Sequence, residues 1–196
     1  MAKRFTLRII FLLVSKSRVL FYRLLSTHKI AGQCHFIQAT QVLGPGQIMV
    51  GDNVKLGYFP SPHFFNTYCY LEARSPHASI KIGENTHINN GFVAIAEQSS
   101  ISIGKNCLIG TRVEIYDSDF HALSAIERAN GVKHISKEVR IGNEVFIGSN
   151  VKILKGASIG DGAVIANGSV VTKDIPPHVI ASGVPANTIK IISDGN

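Results

Sequence analysis

The stretch that decides the fold runs from Val139 to Val171 and reads VRIGNEVFIGSNVKILKGASIGDGAVIANGSVV. One aliphatic residue recurs at every sixth position without a slip: Ile141, Ile147, Ile153, Ile159, Ile165 and Val171. Two positions before each stands a small or β-branched residue: Val139, Val145, Val151, Ala157, Ala163 and Ser169. Each triplet therefore alternates inward, outward and inward, which is the period of a short β-strand.

The other residues of each unit predict a corner. Gly142, Gly148 and Gly160 directly follow inward isoleucines, where glycine lets the backbone turn without Cβ strain. A unit of six residues cannot bury its apolar pair alone, so the units must stack. The repeat predicts a parallel β-helix with three strands per coil. An antiparallel sandwich does not fit, because its turns fall about 8 to 12 residues apart and irregularly.

The same frame extends upstream and is interrupted twice. Its inward positions there are Val50, Leu56, Ile82, Ile88, Ala94, Ile103, Ile109 and Ile115. From Leu56 to Ile82, and from Ile115 to Ile141, the in-out pattern is lost. We expect both segments to leave the prism as loops, which is where binding and catalytic groups concentrate. The second is rich in ionisable residues, namely Asp117, Asp119, His121, Glu127, Arg128, Lys133, His134, Lys137 and Glu138.

The composition argues against a nucleic-acid partner and indicates a reducing compartment. The formal charge is +7 at pH 7, but the basic residues are scattered outside the N-terminal segment and accompany no nucleic-acid motif, so we expect no nucleic-acid partner. Cys34, Cys69 and Cys107 are odd in number and widely spaced, which indicates reduced core thiols in the cytoplasm. Cys107 holds an inward repeat position.

Residues 1 to about 25 read as a helix with Ile9, Leu13, Leu20 and Leu24 along one side. The apolar run from Ile9 to Val14 is too short for a signal peptide or a membrane span. Two interpretations stay open. The helix packs on the end of the β-helix, or it contacts an anionic membrane surface.

The C-terminal half of the chain resembles the galactoside and maltose O-acetyltransferases, together with polysaccharide-biosynthesis and xenobiotic acetyltransferases, which are hexapeptide-repeat acyltransferases. The motifs that carry the resemblance are Ile141-Gly142-Asn143, Phe146-Ile147-Gly148-Ser149, Ile159-Gly160-Asp161, Val171-Thr172-Lys173-Asp174-Ile175-Pro176-Pro177 and Ala181-Ser182-Gly183-Val184-Pro185-Ala186. The similarity also includes an upstream stretch, from Asn90 to His121. The resemblance implies an all-β, left-handed parallel β-helix with an N-terminal helix and a protruding active-site loop.

The resemblance also implies a reaction and its residues. An acetyl group passes from acetyl-CoA to a sugar hydroxyl, without a metal, and His121 is the general base, with His87 and His134 as weaker candidates. A neutral imidazole suits this step at pH 7. Asn90 lies where the family contacts the acceptor, and Glu97, or alternatively Gln98, lies where the family has acidic residues near the sugar. Asp117 and Asp119 orient His121, bind acceptor or only solvate the loop. We expect a backbone N–H near Gly148 to stabilise the oxyanion.

For the cofactor, the resemblance implies a groove between neighbouring prisms in a homotrimer, with His121 of one chain facing the cofactor residues of the next. The groove residues are Phe146, Gly148, Ser149, Ala166, Asn167, Thr172, Lys173 and Lys190. The family often has a basic residue where this chain has Asn187, which leaves Lys190 and Lys173 for the phosphates.

The domain prediction is a helical segment over 1–28, a catalytic β-helix over 29–172 with its loop at 116–138, and a C-terminal extension over 173–196. We expect a cytoplasmic enzyme acting on a saccharide or other small-molecule acceptor in capsule or O-antigen biosynthesis, with membrane contact through residues 1–25 as an open alternative. The alternative functions are an N-acetyltransferase acting on an amino sugar or xenobiotic, a metalloenzyme resembling the γ-class carbonic anhydrases, and a non-catalytic scaffold. The metalloenzyme would need three histidines converging on zinc, which the histidine spacing does not offer.

Overall fold

Short parallel strands form three sheets, which are the sides of a triangular prism in the computed structural model. The structure describes residues 2–131 and 134–192, with side chains from residue 9 onward, so Lys133 and the side chains of Lys3, Arg4 and Arg8 lie outside the described part. The three sheets are called A, B and C.

Sheet A contains β3 (Gln47–Val50), β6 (Ser79–Ile82), β9 (Ser100–Ile103), β12 (Val139–Ile141) and β15 (Ser158–Ile159). Sheet B contains β1 (Cys34–Phe36), β4 (Val54–Leu56), β7 (His87–Ile88), β10 (Leu108–Ile109), β13 (Phe146–Ile147), β16 (Val164–Ile165), β18 (Val179–Gly183) and β19 (Ala186–Ile191). Sheet C contains β2 (Thr40–Leu43), β5 (Cys69–Ala73), β8 (Val93–Ala96), β11 (Glu114–Tyr116), β14 (Lys152–Ile153) and β17 (Val170–Val171). The helices are α1 (Ala2–Leu24) and α2 (Ala125–Ala129).

The parallel register stacks the inward aliphatic residues of successive coils. Ile141 pairs with Ile103 on one side and with Ile159 on the other. All six residues of the hexad series are buried, and so are the six residues two positions before them. The predicted β-helix and its inward positions are therefore confirmed. Cys69 and Cys107 are buried core thiols, as expected, whereas Cys34 is half-buried.

The two interruptions of the repeat differ from each other. The second leaves the prism completely, from residue 117 to residue 138. The first was expected to do the same, but this expectation is wrong for residues 69–73, which form β5 and pair with β2 and β8. Its alternating burial is that of any coil strand. The reason is that Leu71 is inward but does not lie a multiple of six residues from Leu56.

Parallel stacking also continues beyond residue 172, where we expected the β-helix to end. Ile175 follows Val171 after four residues instead of six, yet it bridges Ile159 in parallel. Strand β18 then pairs in parallel with β16. Only β19 departs from the pattern, because it turns back and runs antiparallel to β18.

Helix α1 confirms the predicted N-terminal helix and packs on the first excursion, residues 57–68. The Phe11 ring lies 4.2 Å from that of Phe59, measured between centroids, and the Tyr22 ring lies 4.4 Å from that of Tyr68. The Arg18 guanidinium donates to the Thr67 carbonyl oxygen at 2.7 Å. Within residues 2–131 and 134–192, neither helix has the length and the apolar run that crossing a membrane requires.

Candidate active site

The loop that carries His121 leaves the prism at the edge between sheets C and A. It begins after β11, contains the short helix α2, and returns at β12. Ser124 caps α2 by accepting a hydrogen bond from the Glu127 N–H. None of the residues of α2 is buried. The loop is therefore an excursion over the surface of the prism, as the sequence predicted.

The backbone next to His121 is fixed by the residue before it. The Phe120 ring packs edge-on against Tyr116, with centroids 5.6 Å apart, and the Arg74 guanidinium lies 4.9 Å from the Phe120 centroid. The Phe120 N–H donates to the Ser118 hydroxyl at 2.9 Å. His121, the next residue, is exposed. An exposed imidazole beside an anchored ring can receive a proton from a ligand.

The two aspartates before His121 contact other groups. Asp117 is fully buried, and its carboxylate accepts hydrogen bonds from the N–H groups of Glu97 and Ser99, each at 2.7 Å. Burial raises its pKa, and these N–H groups oppose the rise. Asp119 pairs with Lys155 at 3.0 Å. Asp117 therefore supports the coil corner and is not available to His121, whereas the predicted roles of Asp119 stay predictions.

Glu97 contacts a histidine of the loop. Its carboxylate lies 2.6 Å from the His134 imidazole, and each side chain is only 16% exposed. Since the two groups face each other across the base of the loop, the pair connects residue 134 to the edge of the prism. This contact attaches His134 to the prism, while a sugar contact for Glu97 and a role as base for His134 stay predictions.

Asn90 is a further correction, because its side chain is fully buried and is bonded to backbone. Its amide oxygen accepts from the Tyr58 N–H at 3.0 Å, and its amide nitrogen donates to the carbonyl oxygens of Tyr58 and Pro62, each at 2.9 Å. These bonds leave Asn90 with no free polar group for an acceptor. They hold the first excursion on the prism.

The predicted cofactor residues lie mainly at a different edge from His121. Phe146 projects from sheet B, and the corner between sheets B and C contains Gly148, Ser149, Ala166 and Asn167. Thr172 and Lys173 are exposed at the edge between sheets C and A, and Lys190 is exposed on β19. Within a single chain, His121 therefore lies at a different edge of the prism from the corner between sheets B and C, where the cofactor is predicted to bind.

The N–H groups proposed for the oxyanion are already occupied. The Gly148 N–H donates to the Ile165 carbonyl oxygen at 2.8 Å, and the Ser149 N–H donates to the Asn167 amide oxygen at 2.8 Å. Asn167 therefore stabilises the corner itself. Gly148 is closely confined, because an added Cβ would lie 2.2 Å from the Asn167 amide oxygen. The structure corrects the expectation that this corner offers a free donor.

Sheet B carries a cavity that the sequence did not predict. It has a volume of about 300 Å³, opens beside Phe146, and includes Tyr58, His87 and Asn89 in its lining. Burial and the nearby Lys55 ammonium lower the His87 pKa, which favours the neutral imidazole. The only sequence signal was the outward position of His87 in its coil. Because Phe146 is one of the predicted cofactor residues, the cavity adjoins the surface expected to bind the cofactor.

The described residues contain no group of three or more histidine, cysteine, aspartate or glutamate side chains placed to hold a metal ion. The metalloenzyme alternative therefore has no ligand set within this part of a single chain.

Two family models match the chain. The model described as bacterial transferase hexapeptide (six repeats) matches residues 138–173, and the model described as hexapeptide repeat of succinyl-transferase matches residues 100–115. The first covers the stretch whose six-residue spacing decides the fold.

Two curated relatives are O-acetyltransferases. The polysialic acid O-acetyltransferase of Neisseria meningitidis is 33% identical over 92 residues, which are 47% of this chain and 41% of the relative. The galactoside O-acetyltransferase of Escherichia coli (strain K12) is 41% identical over 124 residues, which are 61% of this chain and 60% of the relative. The chain thus spans about half the length of the curated relatives that it matches.

Solved structures share the fold. An N-acyltransferase from Bacillus cereus in complex with dTDP and coenzyme A superimposes with a TM-score of 0.67 at 23% identity, over 86% of this chain and 84% of that one. A galactoside acetyltransferase in complex with coenzyme A gives a TM-score of 0.50 at 34% identity, over 74% of this chain and 65% of that one. Its repeats, its three sheets and these similarities show that the chain is a left-handed β-helix built from hexapeptide repeats, and that it is similar to bacterial acetyltransferases.

Proposed function

We propose that the protein is an acyltransferase that moves an acetyl group from acetyl-CoA to a sugar hydroxyl. His121 takes the hydroxyl proton while the oxygen attacks the thioester carbonyl. The C–S bond then breaks, and the CoA thiolate takes the proton from the imidazolium, so the products are the acetyl ester and free CoA. The observation that carries this proposal is the exposed His121 side chain beside the anchored Phe120 ring.

The similarities support the acyl donor and the acceptor class. Both curated relatives are O-acetyltransferases, one acting on polysialic acid and one on a galactoside. We propose a saccharide of a surface polysaccharide as the acceptor. The cavity beside Phe146 is suited to it, since Lys55, Tyr58 and Asn89 provide polar groups beside apolar walls.

The cofactor assignment rests on exposure and chemistry. Phe146, Asn167, Thr172, Lys173 and Lys190 are exposed, as the residues of a surface groove must be. Ser149 and Ala166 are half-buried beside them, and Gly148 is buried. A lysine offers phosphate a compact positive charge. The reaction requires no metal, because the base and the thioester supply the whole transfer.

We further propose a homotrimer, because His121 and the corner between sheets B and C lie at different edges of one prism. Three prisms around a threefold axis would bring the loop of one chain to the corner of the next. Light scattering should give the mass of three chains at assay concentration, and a monomer that retains full activity would contradict the shared site. A cytoplasmic location, with contact to the inner face of the cytoplasmic membrane through residues 1–25, belongs to the same proposal.

The central test is a thiol-release assay with acetyl-CoA against sugars, nucleotide sugars, amino sugars and lipid-linked oligosaccharides, followed by mass analysis of the product. His121→Ala should lower kcat by about 10²- to 10⁴-fold, because a positioned general base contributes that much. Its thermal midpoint should not change, since the side chain is exposed.

His77→Ala is the matched control, because His77 is an exposed histidine on a turn between strands of sheets C and A. It should leave kcat unchanged. Near-normal turnover by His121→Ala would refute the assignment of the base, and an acetyl amide in place of an ester would replace the hydroxyl acceptor by an amine.

A further inference from the structure

Helix α1 has one side that the rest of the chain holds firmly. Phe11 contacts three phenylalanine rings of the first excursion, with centroid distances of 4.2, 5.8 and 5.9 Å. Eleven residues later, Tyr22 stacks on Tyr68, and between them Arg18 bonds to the Thr67 carbonyl. Because these residues share one side of the helix, its rotation about its own axis is set.

The opposite side of α1 is apolar and uncovered. At helical spacing from one another, Leu13 is 64% exposed, Leu20 is 58% exposed and Leu24 is 76% exposed. Further large apolar side chains of the helix are also exposed, namely Ile9, Ile10, Leu12, Val14 and Phe21. A contiguous apolar surface of this kind on a water-soluble fold indicates a site of interaction.

The charges of the helix all have one sign. Residues 2–24 contain six lysines and arginines and no acidic residue. Lys16 and Arg23 are exposed and flank the leucine stripe on one side. A second copy of this surface would bring like charges together without a carboxylate to pair them. An anionic surface would be attracted.

A cavity next to the end of α1 continues this basic surface. It has a volume of about 630 Å³, and its lining contains Arg23, His28, Lys29 and His35 and no carboxylate among the residues described. Apolar side chains complete the lining, among them Val19, Ile30 and Phe36. Phosphate groups beside acyl chains fit such a mixture of cations and apolar walls.

We propose that α1 docks flat on a bilayer rich in anionic phospholipid, with the leucine stripe at the level of the acyl chains and the basic cavity toward the headgroup phosphates. Amphipathic helices that lie in the interface bind through buried apolar area together with attraction to anionic lipid. Docking of this kind deepens the membrane contact of the proposed function and does not depend on acyl transfer. Binding to vesicles and thiol release can therefore fail separately.

The test is co-sedimentation with vesicles of phosphatidylcholine alone or with roughly a third phosphatidylglycerol, since the attraction scales with surface charge. The wild-type protein should bind the anionic vesicles at least about tenfold more tightly, and added salt should weaken this binding. Leu13→Gln with Leu24→Gln should lower the affinity by about tenfold or more, because two leucines lose their apolar burial. The matched control is Val184→Gln with Ile191→Gln, which changes two equally exposed residues at the other end of the chain.

The charges are tested by Lys16→Glu with Arg23→Glu, which should abolish the preference for phosphatidylglycerol. Lys81→Glu with Lys137→Glu gives the same change in net charge at exposed positions away from α1, and it should retain the preference. Equal binding of wild-type protein to both vesicle types, or equal loss in the control variants, would overturn the proposal. A fall in particle mass for Leu13→Gln with Leu24→Gln, with vesicle binding intact, would show instead that the stripe is a subunit interface.

Discussion

The two excursions from the prism are held in different ways. The first, residues 57–68, is fixed by buried amides and aromatic rings. Gln38 donates from its amide to the carbonyl oxygens of His63 and Phe64, and Asn90 does the same for Tyr58 and Pro62. The second, residues 117–138, is fixed at its base by Asp117 and the Glu97–His134 pair, and by the Asp119–Lys155 pair.

The two kinds of attachment suit two different roles, one structural and one catalytic. Buried amides with every polar atom bonded make a rigid segment, and their removal leaves main-chain groups unpaired. The Asp119–Lys155 pair is partly exposed, and an ion pair of this kind contributes little stability. The excursion that includes this exposed pair carries the proposed base. The first excursion, with its buried amides, is the platform for α1.

The largest expected effect is on the first excursion. Asn90→Ala should lower the free energy of unfolding by about 3 kcal/mol, because it leaves the Tyr58 N–H and two carbonyl oxygens in part-buried positions without their partner. Urea unfolding measures this loss. Asn66→Ala, an exposed asparagine in the same excursion, should cost less than about 0.5 kcal/mol. A small loss for Asn90→Ala would mean that the amide does not hold the excursion.

The smallest expected effect is on the second excursion. Lys155→Met removes the cation that pairs with Asp119, and both side chains are about a quarter exposed. The free energy of unfolding should fall by less than about 1 kcal/mol. Lys105→Met, which breaks the more exposed pair with Glu84, is the control. A loss well above that of Lys105→Met would remove the contrast between the two excursions.

The sequence predicted the regular coils well, because each inward residue must be apolar and each corner must be short. The six residues at every sixth position from Ile141 to Val171 are all buried, as predicted. The six-residue spacing no longer predicted the inward residues where the corners between strands change length. Leu71 and Ile175 are inward residues that lie off the six-residue spacing, so β5 and the coil after Val171 could not be predicted by counting from their neighbours.

The site was less predictable, because the type of a polar residue does not say what it contacts. Asn90 stands at a corner, and its partners lie about thirty residues earlier in a segment without a repeat. Asp117 is close to His121 in the sequence, but its carboxylate points to the previous coil. What remains as a prediction is His121 itself, whose proposed role involves a neighbouring chain and a bound thioester.

The reversal of β19 has a consequence for assembly along the axis of the coil. A bare solenoid end offers three parallel rims at once, and an identical molecule could extend all of them without limit. Here the rim of sheet B is occupied by a strand of opposite direction, whereas sheet A ends in the parallel bridge of Ile175 to β15 and sheet C ends in the parallel strand β17. A coil that stacked here in the parallel sense would meet one rim of the wrong direction, which disfavours head-to-tail growth at this end of the described residues.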